Sequence, residues 1–96
     1  MINKTANANI GGNYSLRISS NDNSVIIQGQ APDGYVNQSI LIDDPEFETK
    51  VNTLIADMET HQRAKIQEDA NRALTNYDES VTDLKDSVNE FMTDLN

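Results

Sequence analysis

The spacing of apolar residues changes once along this chain, from every second residue to every third or fourth, and the change falls at Asp43 to Pro45. Before that point, Tyr14, Leu16 and Ile18 alternate with polar residues, which predicts a half-buried strand. After it, the apolar spacing predicts a helix with one apolar face. The residues of that face are Phe47, Val51, Leu54, Ile55 and Met58. The sequence therefore predicts an α+β fold in which a sheet precedes the helices.

Two more runs extend the sheet. Residues 24–30 are rich in β-branched side chains, and residues 35–42 place Val36, Ile40 and Ile42 on one face. Pro and Gly between these runs suit a tight turn. Because short turns join consecutive strands, we predict a three-stranded antiparallel β-meander over residues 13–42.

The first twelve residues contain few side chains that a core could bury. Ile2 and Ile10 are the only large apolar residues after Met1, and the segment ends in Gly11 and Gly12. We predict a flexible N-terminal tail over residues 1–12, with an added edge segment of the sheet as the alternative.

Residues 43–96 form the predicted helical region. Asp44 can cap a helix that starts with Pro45, and Asp43 with Glu46 can instead form a capping box, so we expect the helix to begin within a residue of 44. A second apolar face follows the first helix after a thinner stretch. Its residues are Leu74, Tyr77, Val81, Leu84, Val88, Phe91 and Leu95.

These two faces do not align on one straight helix, because the apolar positions drift around the helix axis. The region is therefore either one long kinked helix or a helical hairpin. A break near residues 75–78 would place Arg72 at a carbonyl end and Asp78 at an amide end, which the helix dipole favours. The absence of Gly and Pro from that stretch argues against a break.

All of the net charge lies in the helical region. Residues 1–42 are neutral, whereas fourteen acids and five bases follow, which accounts for the formal net charge of −9. The acids form two patches, residues 43–59 and 78–96, around a slightly basic middle. Charge of this sign argues against direct binding of nucleic acid.

The second patch forms one line of carboxylates, which we call the acidic stripe. Its members fall within roughly 80° of one another on a helical wheel, nearly opposite the second apolar face. One turn apart, they resemble a row of phosphates, so the stripe could occupy a basic nucleic-acid-binding groove on another protein. The alternative is an ordinary solvated face. The acidic stripe consists of Glu79, Asp83, Asp86, Glu90 and Asp94.

No pattern predicts catalysis, a metal site or a cofactor site. A general acid needs a buried or crowded carboxyl group, and these carboxylates lie on predicted exposed faces. His61 is the only imidazole and is expected to be an exposed helix residue. The segment Asn21 to Asn23 lacks the Gly and Glu of a calcium loop. We therefore expect a binding protein and no enzyme.

The second helix also offers an apolar stripe as a contact for other chains. If this helix does not fold back, its apolar residues need a partner helix, most simply from another copy of the chain. A chain of 96 residues with 36% hydrophobic content has a small core, which favours added stability from a second chain. The apolar stripe consists of Val81, Leu84, Val88, Phe91 and Leu95.

Two functions follow from these surfaces. The first is an inhibitor or adaptor that covers a basic surface of another protein, and the alternative is a helix-mediated, homo-oligomeric assembly protein, for example of a phage particle. The composition suggests a product of a phage or mobile element. Without an apolar stretch of about 20 residues or a signal-peptide pattern, we expect no membrane contact and a cytoplasmic location.

Overall fold

The structure, a computed structural model, describes residues 1–8 and 14–95, apart from the side chains of residues 69 and 70. The fold is α+β, as predicted: a four-stranded antiparallel sheet in the order β1-β2-β3-β4 is followed by two helices. A short 3₁₀ turn, Asn71–Ala73, joins the helices. The elements are β1 (Asn3–Asn7), β2 (Ser15–Ser20), β3 (Ser24–Ala31), β4 (Gly34–Leu41), α1 (Phe47–Ala70) and α2 (Leu74–Leu95).

The three predicted strands are present as β2, β3 and β4, and consecutive strands pair antiparallel. The β2–β3 turn is stabilised by Asn21, whose side-chain oxygen accepts hydrogen bonds from the N–H groups of Asn23 at 2.9 Å and Ser24 at 2.8 Å. Pro32 and Asp33 form the two-residue turn between β3 and β4, as the sequence predicted.

The prediction of three strands is wrong by one, because β1 pairs with β2 from Asn3 opposite Ser19 to Asn7 opposite Ser15. The tail prediction is therefore wrong for residues 3–7, where the edge-segment alternative is confirmed. Residues 9–12 of the predicted tail lie outside the described residues. Within β1 only Ala6 is buried, so the strand has no alternation of large apolar residues that a sequence pattern could detect.

The core lies between one face of the sheet and the two helices. Gly29 on β3 lets α1 approach closely, since a Cβ atom at this position would lie 2.9 Å from the sulfur of Met58. α1 packs on β3 and β4, whereas α2 packs on β1. Side chains that are almost fully buried include Leu16, Ile18, Val25, Ile27, Val51, Ile66, Tyr77, Val81, Leu84 and Val88.

Helix α1 begins at Phe47, later than the predicted start within a residue of 44. The carboxylate of Asp44 accepts a hydrogen bond from the Glu46 N–H at 2.8 Å, and the Asp44 carbonyl accepts one from the Phe47 N–H at 3.0 Å. Asp44 and Pro45 therefore belong to a tight turn. The first helical bond after this turn runs from Lys50 N–H to the carbonyl of Glu46 at 2.9 Å.

The helical region is a hairpin, and its break lies at Asn71–Ala73, upstream of the predicted residues 75–78. Contacts between the helices show the reversal, because the Arg63 guanidinium donates to the Asp78 carboxylate at 2.9 Å. The prediction placed the break too late because it assigned Asp78 to a helix start. In the structure, Tyr77 is a core residue within α2.

A buried polar cluster fixes the hairpin to the sheet. The Gln62 amide nitrogen donates to the carbonyls of Ser15 at 2.7 Å and Gln30 at 3.0 Å, which are opposite each other at one end of β2 and β3. The Gln62 amide oxygen accepts a hydrogen bond from the Tyr77 hydroxyl at 2.7 Å. Burial, reinforced by neighbouring carboxylates, raises the pKa of Tyr77, so its hydroxyl remains a donor. The Gln62 side chain therefore links α1, α2 and the sheet.

Candidate functional surface

The acidic stripe lies on the outer face of α2, and all five of its residues are exposed. The apolar side chains of α2 point towards the sheet, so the 3.6-residue period of the helix directs the carboxylates to solvent. Lys85 is the only basic residue of α2, and its amine lies 2.5 Å from the Glu59 carboxylate on α1. Among the described residues, no basic side chain forms an ion pair with the stripe, which leaves its charge uncompensated.

One end of the stripe adjoins the N-terminal strand. Glu90 and Asp94 line a shallow cleft of about 450 Å³ together with Lys4, although no ion pair forms there among the described residues. The stripe is therefore continuous with a surface that carries the one basic residue of β1.

The apolar stripe of α2 is used within the chain. Val81, Leu84 and Val88 are buried, Phe91 is half-buried against the same core, and Leu95 is 45% exposed. Three of the five residues predicted to contact a partner helix therefore cannot do so unless the fold opens. α2 folds back on its own sheet, so the condition under which the apolar stripe would need a partner helix is not met.

The first acidic patch differs from the acidic stripe because bases neutralise part of it. The Lys50 amine lies 2.6 Å from the Asp44 carboxylate. A hydrogen bond from Lys50, and then one from the Glu46 N–H, hold the pKa of Asp44 below its ordinary value, while Asp44 raises the pKa of Lys50. Glu59 is paired with Lys85. The acidic stripe is thus the more strongly anionic surface.

Two side chains in the slightly basic middle of the helical region, Arg63 and His61, contact carboxylates. Arg63 makes two hydrogen bonds to Asp78, at 2.9 Å and 3.2 Å. His61 is exposed on α1, and its Nε2 lies 3.1 Å from the Asp33 carboxylate in the β3–β4 turn. The hydrogen bond with His61 lowers the pKa of Asp33. These contacts attach α1 to α2 on one side and to the turn on the other.

Two clefts follow the groove between α1 and β4. One, of about 390 Å³, is lined by Val36, Met58 and His61, and the other, of about 590 Å³, by Ile40 and Lys50 among others. Asp57 lines both clefts and makes no ion pair with a described residue. The sequence prediction missed this groove, although the uncharged run from residue 34 to 42 was a visible signal of it.

Two further properties concern the described residues as a whole. No three His, Asp or Glu side chains within residues 1–8 and 14–95 converge where they could hold a metal ion. Neither helix in that part of the chain combines the length and apolarity that crossing a membrane requires.

Comparison with known proteins gives no match. No family model matches the sequence. No curated protein and no solved structure is significantly similar to the chain. The surfaces described above therefore provide the basis for a functional proposal.

Proposed function

We propose that this protein is a non-enzymatic binding protein that lays its acidic stripe over a basic, nucleic-acid-binding surface of another protein, as an inhibitor or adaptor. The observation that carries the proposal is the isolation of the stripe. All five carboxylates are exposed, and the single base of α2 is directed to α1. Lysines and arginines of a partner could therefore bind these carboxylates without displacing a base of the chain itself.

The dimensions of the stripe suit an extended basic groove. Fifteen residues separate Glu79 from Asp94, so the five charges span about 22 Å at 1.5 Å per residue. One charge every ~5 to 6 Å is sparser than one strand of B-DNA, which carries a phosphate every ~3.4 Å along the helix axis. The stripe therefore offers a linear anionic ligand to a partner that neutralises phosphates.

The position of the last two acids also supports a binding role. Asp94 lies in the last turn of α2, where no basic residue accompanies it, and Glu90 lies one turn earlier, where it repels both Asp86 and Asp94. A carboxylate near the carbonyl end of a helix opposes the helix dipole and lowers helix stability. These residue types are unfavourable for the fold alone, and such local conflicts concentrate at functional sites.

A capture experiment with matched variants tests the proposal. The variant Asp83→Lys, Asp86→Lys, Glu90→Lys reverses three charges of the stripe and should lose the partner that the wild-type protein captures from an extract of the source cells. The control reverses three exposed acids of the first patch, with the same change in net charge, and should retain capture. Those control residues are Asp43, Glu46 and Glu48.

The captured protein must then bind nucleic acid, and the wild-type chain must displace that nucleic acid. Binding should weaken steeply as salt is added, because the contact is between exposed charges. Equal loss of capture in both triple variants, or a partner that holds nucleic acid and the chain together without competition, would contradict the proposal.

A single substitution separates a binding role from an ordinary solvated face. Glu90→Lys replaces like-charge repulsion from Asp86 and Asp94, each one turn away on α2, by attraction, so the melting temperature should rise. The proposal expects this stabilised variant to capture less partner. A rise in melting temperature with unchanged capture would assign Glu90 to the solvated face alone.

A further inference from the structure

The two edges of the sheet differ in how they are protected. β1 is five residues long, carries Lys4 on the side that faces the helices, and donates the Asn7 N–H to the Ser80 hydroxyl of α2 at 3.0 Å. β4 is eight residues long, has no charged residue or proline, and pairs with β3 without a bulge. Natural sheets normally protect a long edge with one of these features. β4 is therefore an open edge.

The backbone of β4 offers hydrogen-bonding groups along this edge. The Ile42 N–H donates to the carbonyl of Asn23 at 2.9 Å, so Ile42 faces the β3 side. Alternate residues of a strand face opposite sides, which directs the N–H and C=O groups of Tyr35, Asn37 and Ser39 outward. No described residue pairs with these groups. An added strand could bind to all of them.

The apolar and polar residues of β4 are arranged symmetrically about Gln38. From residue 35 to 41 the order is two apolar residues, three uncharged polar residues and two apolar residues. If Gln38 lies opposite itself in an antiparallel pair of β4 strands, Tyr35 lies opposite the partner's Leu41 and Val36 opposite the partner's Ile40. We propose that two copies of the chain pair in this register and form one continuous eight-stranded sheet, independently of the acidic stripe.

The exposed apolar surface of the chain is concentrated at this contact. Tyr35 is 58% exposed, Val36 is 42% exposed and Leu41 is 59% exposed. Among the described residues, three of the five large hydrophobic side chains in this exposed class therefore lie on β4. In the proposed register each meets an apolar residue, whereas a shift by two residues would place Tyr35 opposite the partner's Ser39. The residue order thus specifies one register.

The charge distribution permits this pairing. β4 is uncharged, and α2 with its acidic stripe packs on β1 at the far side of the sheet. Seven strand spacings of about 4.8 Å would keep the two β1 strands about 34 Å apart, well beyond the screening length of about 8 Å at physiological ionic strength. Three acids are the exceptions. Asp57 lies in the groove beside β4, and at each end of the contact Asp33, which is paired with His61, falls opposite the partner's Asp43. Two copies would bring their Asp57 carboxylates towards the twofold axis.

The mass in solution and a single cysteine test the pairing. Sedimentation equilibrium should give twice the 10.7 kDa of one chain at high micromolar concentration. Because the chain has no cysteine, Gln38→Cys introduces one thiol per copy. Directly opposed residues of a non-hydrogen-bonded antiparallel pair have Cα atoms about 4.5 Å apart, within the range for a disulfide. Gln38→Cys should therefore crosslink rapidly, and Thr5→Cys on the β1 edge should not.

A charge exchange at Gln38 tests the position of the twofold axis. Asp57 lines the same cleft as Gln38, so the test uses an Asp57→Asn background. There Gln38→Lys and Gln38→Glu each place like charges opposite each other, and the dissociation constant of either dimer should rise about five-fold relative to Asp57→Asn alone. An equimolar mixture should recover the affinity of Asp57→Asn alone, because Lys then faces Glu. Both substitutions change an exposed residue, so the fold should tolerate them.

An extended basic peptide is the competing occupant of this edge, and Asp57→Asn separates the two. Loss of the carboxylate should tighten self-pairing and weaken the binding of a basic peptide. A strict monomer at high micromolar concentration, equal crosslinking of the two cysteine variants, or a mixture that fails to recover dimerisation would overturn the proposal.

Discussion

Removal of the Tyr77 hydroxyl tests whether the buried polar cluster holds the helical hairpin on the sheet. Tyr77 is 0% exposed and Gln62 is 2% exposed, and the hydroxyl donates to the Gln62 amide oxygen at 2.7 Å. Tyr77→Phe leaves that oxygen buried without a donor. An unsatisfied buried acceptor costs about 1 to 3 kcal/mol.

The geometry indicates that rearrangement does not reduce the free-energy cost of leaving the Gln62 oxygen unpaired. The Gln62 amide nitrogen is bound to the carbonyls of Ser15 and Gln30, so the amide cannot rotate to find another donor for its oxygen without breaking both bonds. For a domain of this size, about 1 kcal/mol corresponds to a fall of about 4 to 8 °C in melting temperature. We therefore expect Tyr77→Phe to lower the melting temperature by at least ~4 °C.

The assays are thermal unfolding, which gives the melting temperature, and equilibrium unfolding in urea, which gives the unfolding free energy, both followed by far-ultraviolet circular dichroism. Tyr35→Phe is the matched control, because the Tyr35 hydroxyl also takes part in a side-chain hydrogen bond, which it accepts from the Gln28 amide at 3.0 Å, but on an exposed surface. The control should change the unfolding free energy by less than about 0.5 kcal/mol. In a Gln62→Met background, Tyr77→Phe should lose most of its effect. Equal effects of the two Tyr substitutions, or an undiminished effect in the Gln62→Met background, would refute the reasoning.

Three further predictions concern local contacts, and each is checked by the urea midpoint. The pKa of Asp44 is lowered by Lys50, so their interaction stabilises the fold above the ordinary Asp pKa of about 4 and is lost as the pH falls further; the difference between wild type and Lys50→Met should therefore shrink between about pH 6 and about pH 3. Gly29→Ala should destabilise by about 1 kcal/mol because the new methyl group displaces the flexible Met58 side chain, and a Met58→Ala background should remove this cost. Asn21→Ala should destabilise by about 1 kcal/mol because two N–H groups of the β2–β3 turn lose their acceptor, whereas Asn21→Asp, which keeps an oxygen there, should cost less.

The change of apolar period was sufficient to predict much of the fold. Alternation of apolar and polar residues identified β2, β-branched content identified β3, and apolar residues on one face identified β4. The spacing of three and four identified the two helices. β1 was predicted only as an alternative to a tail because its one buried residue is Ala6. The strand forms through pairing with β2 and contact with α2, which a local pattern does not contain. The start of α1 was misplaced because Asp44 and Pro45 stabilise a turn as well as they would a helix end.

The sequence by itself determined which face of α2 is acidic, because a helical period directs every member of the acidic stripe away from the apolar residues. It did not determine what covers the apolar stripe, and only the reversal at Asn71–Ala73 assigns that surface to the protein's own core. The same reversal buries Gln62. In the sequence this residue is an ordinary polar helix residue, whereas in the structure its amide binds strand carbonyls. Likewise, β4 is visibly uncharged in the sequence, but the strand order makes it an edge. In each case the deciding contacts join residues far apart in the chain, and these depend on topology rather than on local pattern.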